Sequence, residues 1–162
     1  ALAASAGVKA LAVTDHDTVE GLAEAAEAAR AHGVELVAGI EDYPRFLPWC
    51  SGASVAPGRG GGVDASLDID YLGIKARFTT RNLMRFPKQI KMTLLDGPFR
   101  SLDGSWHFHA RRPGACKVQL ALRYRFASDL LGRAVTPVFD AIANSMVDAF
   151  AQQAETIYGP IE

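Results

Sequence analysis

The chain is predicted to form an α+β fold in which a long C-terminal helix lies across a curved antiparallel sheet, preceded by a βαβ fragment. Three observations carry this. The opening is Ala-rich and reads as strand, helix, strand; apolar and polar residues alternate from Val63 onward; and apolar residues recur at three- and four-residue steps in the C-terminal part.

Residues 1–41 form the first unit. Residues 8–13 are a short apolar run suited to a strand. Residues 18–32 are rich in helix formers, with Gly33 placed to stop the helix, and residues 34–40 read as a second strand. A βαβ unit normally belongs to a parallel sheet, and one unit alone is not a domain. The domain proper is therefore placed at 42–162.

In that domain Val63, Ala65, Leu67, Ile69 and Tyr71 alternate with Asp64, Ser66, Asp68 and Asp70, as in a strand with one buried and one wet face. Gly73 interrupts the pattern. Ile74, Ala76 and Phe78 then alternate with Lys75, Arg77 and Thr79, so a hairpin is expected whose acidic and basic outer faces pair across the strands. Further strands are expected at 89–95, 102–110 and 116–126, giving an antiparallel sheet. Ser128 is placed to cap a helix whose apolar stripe runs through Leu131, Val135, Phe139, Ile142, Met146 and Phe150 to Gly159; Pro137 is expected to kink or divide it. Sheet and helix both present apolar faces that need not touch everywhere, so together they form a container, the helix-grip architecture.

Composition bounds the function. Hydrophobic residues make up 49% of the 162 residues and 17 basic residues nearly balance 18 acidic ones, the profile of a folded globular chain and not of a general DNA or other nucleic-acid binder. Arg111 with Arg112, and Arg123 with Arg125, read as solvated faces. No apolar run approaches the roughly 20 residues of a transmembrane segment, and the Ala-rich start lacks the features of a signal peptide, so a cytoplasmic location is expected. Cys50 and Cys116 are far apart and read as reduced thiols.

The segment DYPRFLPWC at 42–50, LDIDYLGIKARFTT at 67–80, DGPFRSLDGSW at 96–106 and PVFDAIANSMVDAF at 137–150 occur in an order that resembles the coenzyme Q-binding, ribosome-association-toxin branch of the polyketide-cyclase-like START families. The resemblance implies a START-like fold lacking its usual first strand and helix, which the N-terminal piece replaces. It also implies an apolar cavity for ubiquinone or a related isoprenoid lipid, and association with the large ribosomal subunit as the toxin of a toxin–antitoxin pair. It brings no catalytic residues and requires no cofactor, so a non-enzymatic role is expected. By position it points to Tyr43, Phe46, Leu47, Trp49, Phe99, Trp106, Phe108, Val138, Phe139 and Ile142 around the cavity and its mouth, each of which is equally at home as plain core.

Residues 7–41 resemble instead a motif region of the PHP metal-dependent phosphoesterases, which implies metal-ligand roles for Asp15, His16 and Glu41. The further His and Asp ligands that such a site needs are missing, so the set is incomplete and vestigial, and the chain reads as a chimera. His107 and His109 fall on one strand face opposite Trp106 and Phe108, on the solvent side. The glycine-rich stretch 56–62 reads as a hairpin loop, since it has no Gly-Lys-Ser/Thr of a phosphate loop. The readings in competition are an apolar-ligand carrier, a PHP-type phosphoesterase and a polyketide-cyclase-like enzyme. An incomplete ligand set leaves metal and substrate uncontrolled, so no phosphoesterase turnover is expected with manganese or zinc and a generic phosphomonoester. Turnover abolished by His16→Ala would overturn this.

Overall fold

A computed structural model describes residues 4–5, 33–110 and 116–158. Within these lie β1 (Ala4–Ser5), a helical stretch α1 (33–38), a 3-10 turn (Ile40–Asp42), α2 (Tyr43–Phe46), β2 (Cys50–Pro57), a second 3-10 turn (Arg59–Gly61), β3 (Val63–Tyr71), β4 (Ile74–Arg85), β5 (Gln89–Asp96), β6 (Phe99–Ala110), β7 (Cys116–Phe126) and α3 (Asp129–Tyr158). The strands make one antiparallel sheet in the order β1-β7-β6-β5-β4-β3-β2. It is a meander from β2 to β7, with the two-residue β1 closing the far edge against Tyr124 and Arg123. The helix grips this sheet, as expected.

Alternation in β3 and β4 sets their register. Ala65, Leu67 and Ile69 are buried, while on the other face Asp64 stands opposite Arg81, Asp68 opposite Arg77 and Asp70 opposite Lys75. Arg81 grips Asp64 with two hydrogen bonds of 2.8 and 2.9 Å, which hold that carboxyl below the usual carboxylate range. Ser66 and Thr79 continue the ladder at 2.7 Å. The turn places Leu72 and Gly73 both at positive φ (50° and 81°), a two-residue geometry whose twist matches that of the strands it joins.

Three sequence expectations are corrected. Residues 34–40 are not a strand: 33–38 are helical, Gly33 among them, and a 3-10 turn follows. The run is β-branched, but Leu36, Val37 and Ile40 recur at helical spacing and Glu35 is exposed, so burial of one face decides the conformation over propensity. No βαβ unit is present among the described residues; the expected strand at 8–13 and helix at 18–32 lie outside them, as does Gly159. Strand β2 was not expected, because Cys50–Pro57 is an edge strand with little burial and a register shift between Cys50 and Gly52, and so shows no alternation. Pro137 does not divide α3, which runs unbroken for 30 residues. It sits on the exposed side with Arg133, the residue whose carbonyl loses its partner, where water can replace the missing hydrogen bond. The expected cap is present, with the Leu131 N–H donating to Ser128 Oγ at 3.1 Å.

One hydrophobic core joins α1, α2, the concave face of the sheet and α3. Phe150 is fully buried and meets Tyr43, Phe46 and Trp106 edge-on at 5.2–5.4 Å. Phe150→Ala should therefore lower the unfolding free energy by about 3–5 kcal/mol, measured by urea denaturation. A loss within that of a surface substitution would remove Phe150 from the core.

Candidate functional site

The concave face and α3 do not meet everywhere. On α3, Phe139, Ile142, Ala143 and Met146 form one stripe, and opposite it the inward positions of β3 to β7 include Leu67, Phe78, Met92, Leu120 and Leu122. Between them lies a cavity of about 130 Å³. That is room for several waters, or for part of an extended apolar chain. Val37, Ala38 and Ile40 close one side, and Gly61, Val63 and Met84 lie where the wall reaches solvent.

The wall holds no Asp, Glu, Lys, Arg or His among its described residues. Its polar groups are few. Thr80 is buried and its hydroxyl donates to Asn82 Oδ1 at 2.8 Å. The Tyr43 hydroxyl donates to the Val37 carbonyl, and burial above all, with Cys50 nearby, pushes its pKa well above the ordinary tyrosine range. Trp49 differs from both: it is 2% exposed, and its indole Nε1 has no hydrogen-bond partner among the described residues. A buried donor without an acceptor costs about 1–3 kcal/mol.

Of the residues expected around the site, Tyr43, Trp49, Trp106, Phe139 and Ile142 line this cavity. Phe99 and Val138 line a smaller void beside it, near the start of α3, which Phe139 and Ile142 also border. Leu47 and Phe108 are each 1% exposed and belong to the solid core, and half-buried Phe46 packs on Tyr43 and Phe150. The Thr80–Asn82 pair and the α1 side of the wall were not anticipated. The alternation that found Phe78 continues to Thr80, Asn82 and Met84, but polar residues at inward positions hide it.

The ligand set carried by the phosphoesterase resemblance is not found among the described residues. Glu41 is exposed on the 3-10 turn and not at a strand end, Asp15 and His16 lie outside the described residues, and no group of three metal-binding side chains occurs among the described residues. His107 and His109 do face outward, stacked at 6.3 Å, with His107 on Ser105 and His109 on Gln119.

A long helix held over an antiparallel sheet, with an apolar space between them, defines a helix-grip fold of the START type. The chain belongs to the family described as polyketide cyclase / dehydrase and lipid transport, whose model matches residues 35–151. It is 40% identical over 125 residues to a ribosome association toxin RatA of Pseudomonas aeruginosa, covering 77% of this chain and 87% of that protein. It is 28% identical over 129 residues to the mitochondrial coenzyme Q-binding protein COQ10 homolog B of Xenopus laevis, covering 77% of this chain and 53% of that one. An 18 kDa protein of Caulobacter crescentus shares the fold, with a TM-score of 0.70 at 24% identity over 99% of this chain and all of that one. The family match begins beyond Asp15 and His16 and includes part of α1.

Cys50, next to Trp49, is buried, and its thiol donates to the Gly52 carbonyl at 3.3 Å; burial raises its pKa. Less thiolate at neutral pH means slow chemistry. In a Cys116→Ser protein, labelling of Cys50 by a disulfide reagent should be at least about tenfold slower folded than in urea. Equal rates would place the thiol at the surface.

Proposed function

We propose that the protein is a non-enzymatic carrier that holds an isoprenoid quinone, or an isoprenoid lipid with a similar oxygenated end, in the cavity under α3. The observation that carries this reading is a cavity wall without a charged side chain among its described residues, to which Trp49 belongs with its indole N–H unpartnered among the described residues. A hydrocarbon tail is favoured by such a wall without any charged partner, and a carbonyl or ether oxygen supplies the acceptor that Trp49 lacks. The coenzyme Q-binding name of one relative and the lipid-transport part of the family description agree with it. A cyclase-like activity is less favoured, because general acid–base work needs a group that titrates near neutrality and the described wall offers none.

Organic extraction of the purified protein followed by mass spectrometry should recover an isoprenoid quinone or oxygenated isoprenoid, and added quinone should quench tryptophan fluorescence. Trp49→Phe should weaken quinone binding by about five- to tenfold and leave a carbonyl-free isoprenoid such as squalene unaffected. A protein that neither carries nor binds such a lipid would overturn the carrier reading, and an equal loss for both ligands would reduce Trp49 to a packing residue.

A second reading rests on the 40% identity to the ribosome association toxin: binding to the large ribosomal subunit. Co-sedimentation with isolated large subunits supports it, and sedimentation at the top of the gradient under the same conditions removes it.

A further inference from the structure

We propose that the loop end of the sheet beside the cavity mouth docks on anionic bilayers, so that the cavity opens against the membrane. Two hairpin tips lie side by side at this end. One is the β2–β3 connection around Arg59–Gly61, the other the β4–β5 connection after Arg85, and they touch, since Leu83 packs so closely on Gly62 that a Cβ there would meet its Cδ2 at 2.8 Å.

The tips are apolar where a soluble surface is ordinarily polar. Phe86 is 65% exposed, Met84 48%, and Leu83 and Val63 just under two fifths. Single exposed apolar residues need no explanation, but adjoining ones at a cavity mouth do. Met84 and Val63 belong to both surfaces, lining the cavity and reaching solvent, so the patch is continuous with the interior.

Charge around the patch is mostly basic, the carboxylate of Asp64 being held by Arg81. Residues 81–91 contain Arg81, Arg85, Lys88 and Lys91 and no carboxylate, in a chain whose net charge is −1. Arg81 is taken by Asp64; Arg85, Lys88, Lys91 and Arg59 are exposed and form no ion pair with a described carboxylate. Apolar side chains at a tip with cations around them match the two layers of an anionic bilayer surface, acyl chains below and phosphates above. An RNA backbone would satisfy the cations but leave Leu83 and Met84 against water. Docked in this way, the protein would exchange an apolar ligand without passing it through solvent. The surface is defined by its own residues and is tested without any cavity ligand, so it stands or falls apart from the quinone reading.

The test is flotation of the full-length protein with vesicles of phosphatidylcholine alone or of equal parts phosphatidylcholine and phosphatidylglycerol. Binding is expected to the anionic vesicles and to fall as salt rises. Phe86→Ser should weaken it by about tenfold and Lys88→Gln by about fivefold, with circular dichroism unchanged. No flotation of the parent protein with anionic vesicles overturns the proposal. So does Phe86→Ser binding like the parent while Lys88→Gln loses affinity for vesicles and for polyuridylate alike, which would make the patch a polyanion surface.

Discussion

Everything in this molecule depends on how α3 is held against the sheet at two points and kept off it between them. Near its start Phe139 enters a cluster with Tyr124 at 4.5 Å, Phe99 at 5.2 Å and Phe126 at 6.0 Å. Farther along, Phe150 enters the second cluster with Tyr43, Phe46 and Trp106. The two rings are eleven residues apart, about 16 Å along a helix, and on the same stripe. Ile142, Ala143 and Met146 lie between them on that stripe and roof the cavity. Large rings at the ends and smaller or more flexible side chains in the middle are what keep a space open inside a core that would otherwise close up.

The sheet is constrained in a complementary way. Its outer face along β3 and β4 carries acidic residues directly opposite basic ones, and its inner face along the same strands is apolar but for Thr80 and Asn82. A slip by one residue would turn Asp64 and Asp68 into the cavity and Leu67 into water, so hydrophobic patterning and ion pairing reject the same errors. The exposed pairs contribute little to stability individually. Their value is in register, which decides which side chains form the cavity wall.

With no charged side chain among the described residues of its wall, the cavity offers a ligand only a few neutral polar groups. Tyr43 and Thr80 already have protein partners, and Trp49 does not. In the carrier reading proposed above, selectivity for an oxygen atom in an apolar ligand rests on that indole, because an unpaired buried donor discriminates far more sharply than additional apolar contact.

The hairpin, the later strands, the Ser128 cap and the stripe of α3 were legible in the sequence because each is a local period: two residues for a half-buried strand, three to four for a half-buried helix. The same periodicity marked Trp106, Phe139 and Ile142 as inward-facing. Neither that periodicity nor the family resemblance could tell a residue that borders space from one that fills it, which is why Leu47 and Phe108 stand with Trp49 and Trp106 among the expected positions. That distinction depends on what lies across the core. Tertiary structure also decided the conformation of residues 33–38, where an apolar run admits strand or helix and only the shape of the surface that buries it chooses between them. It decided β2 as well, an edge strand paired on one side and too exposed to carry a pattern. The sequence determined which faces are apolar; tertiary packing determined where those faces stop short of one another, because a cavity belongs to no single segment and exists only in the distance between several.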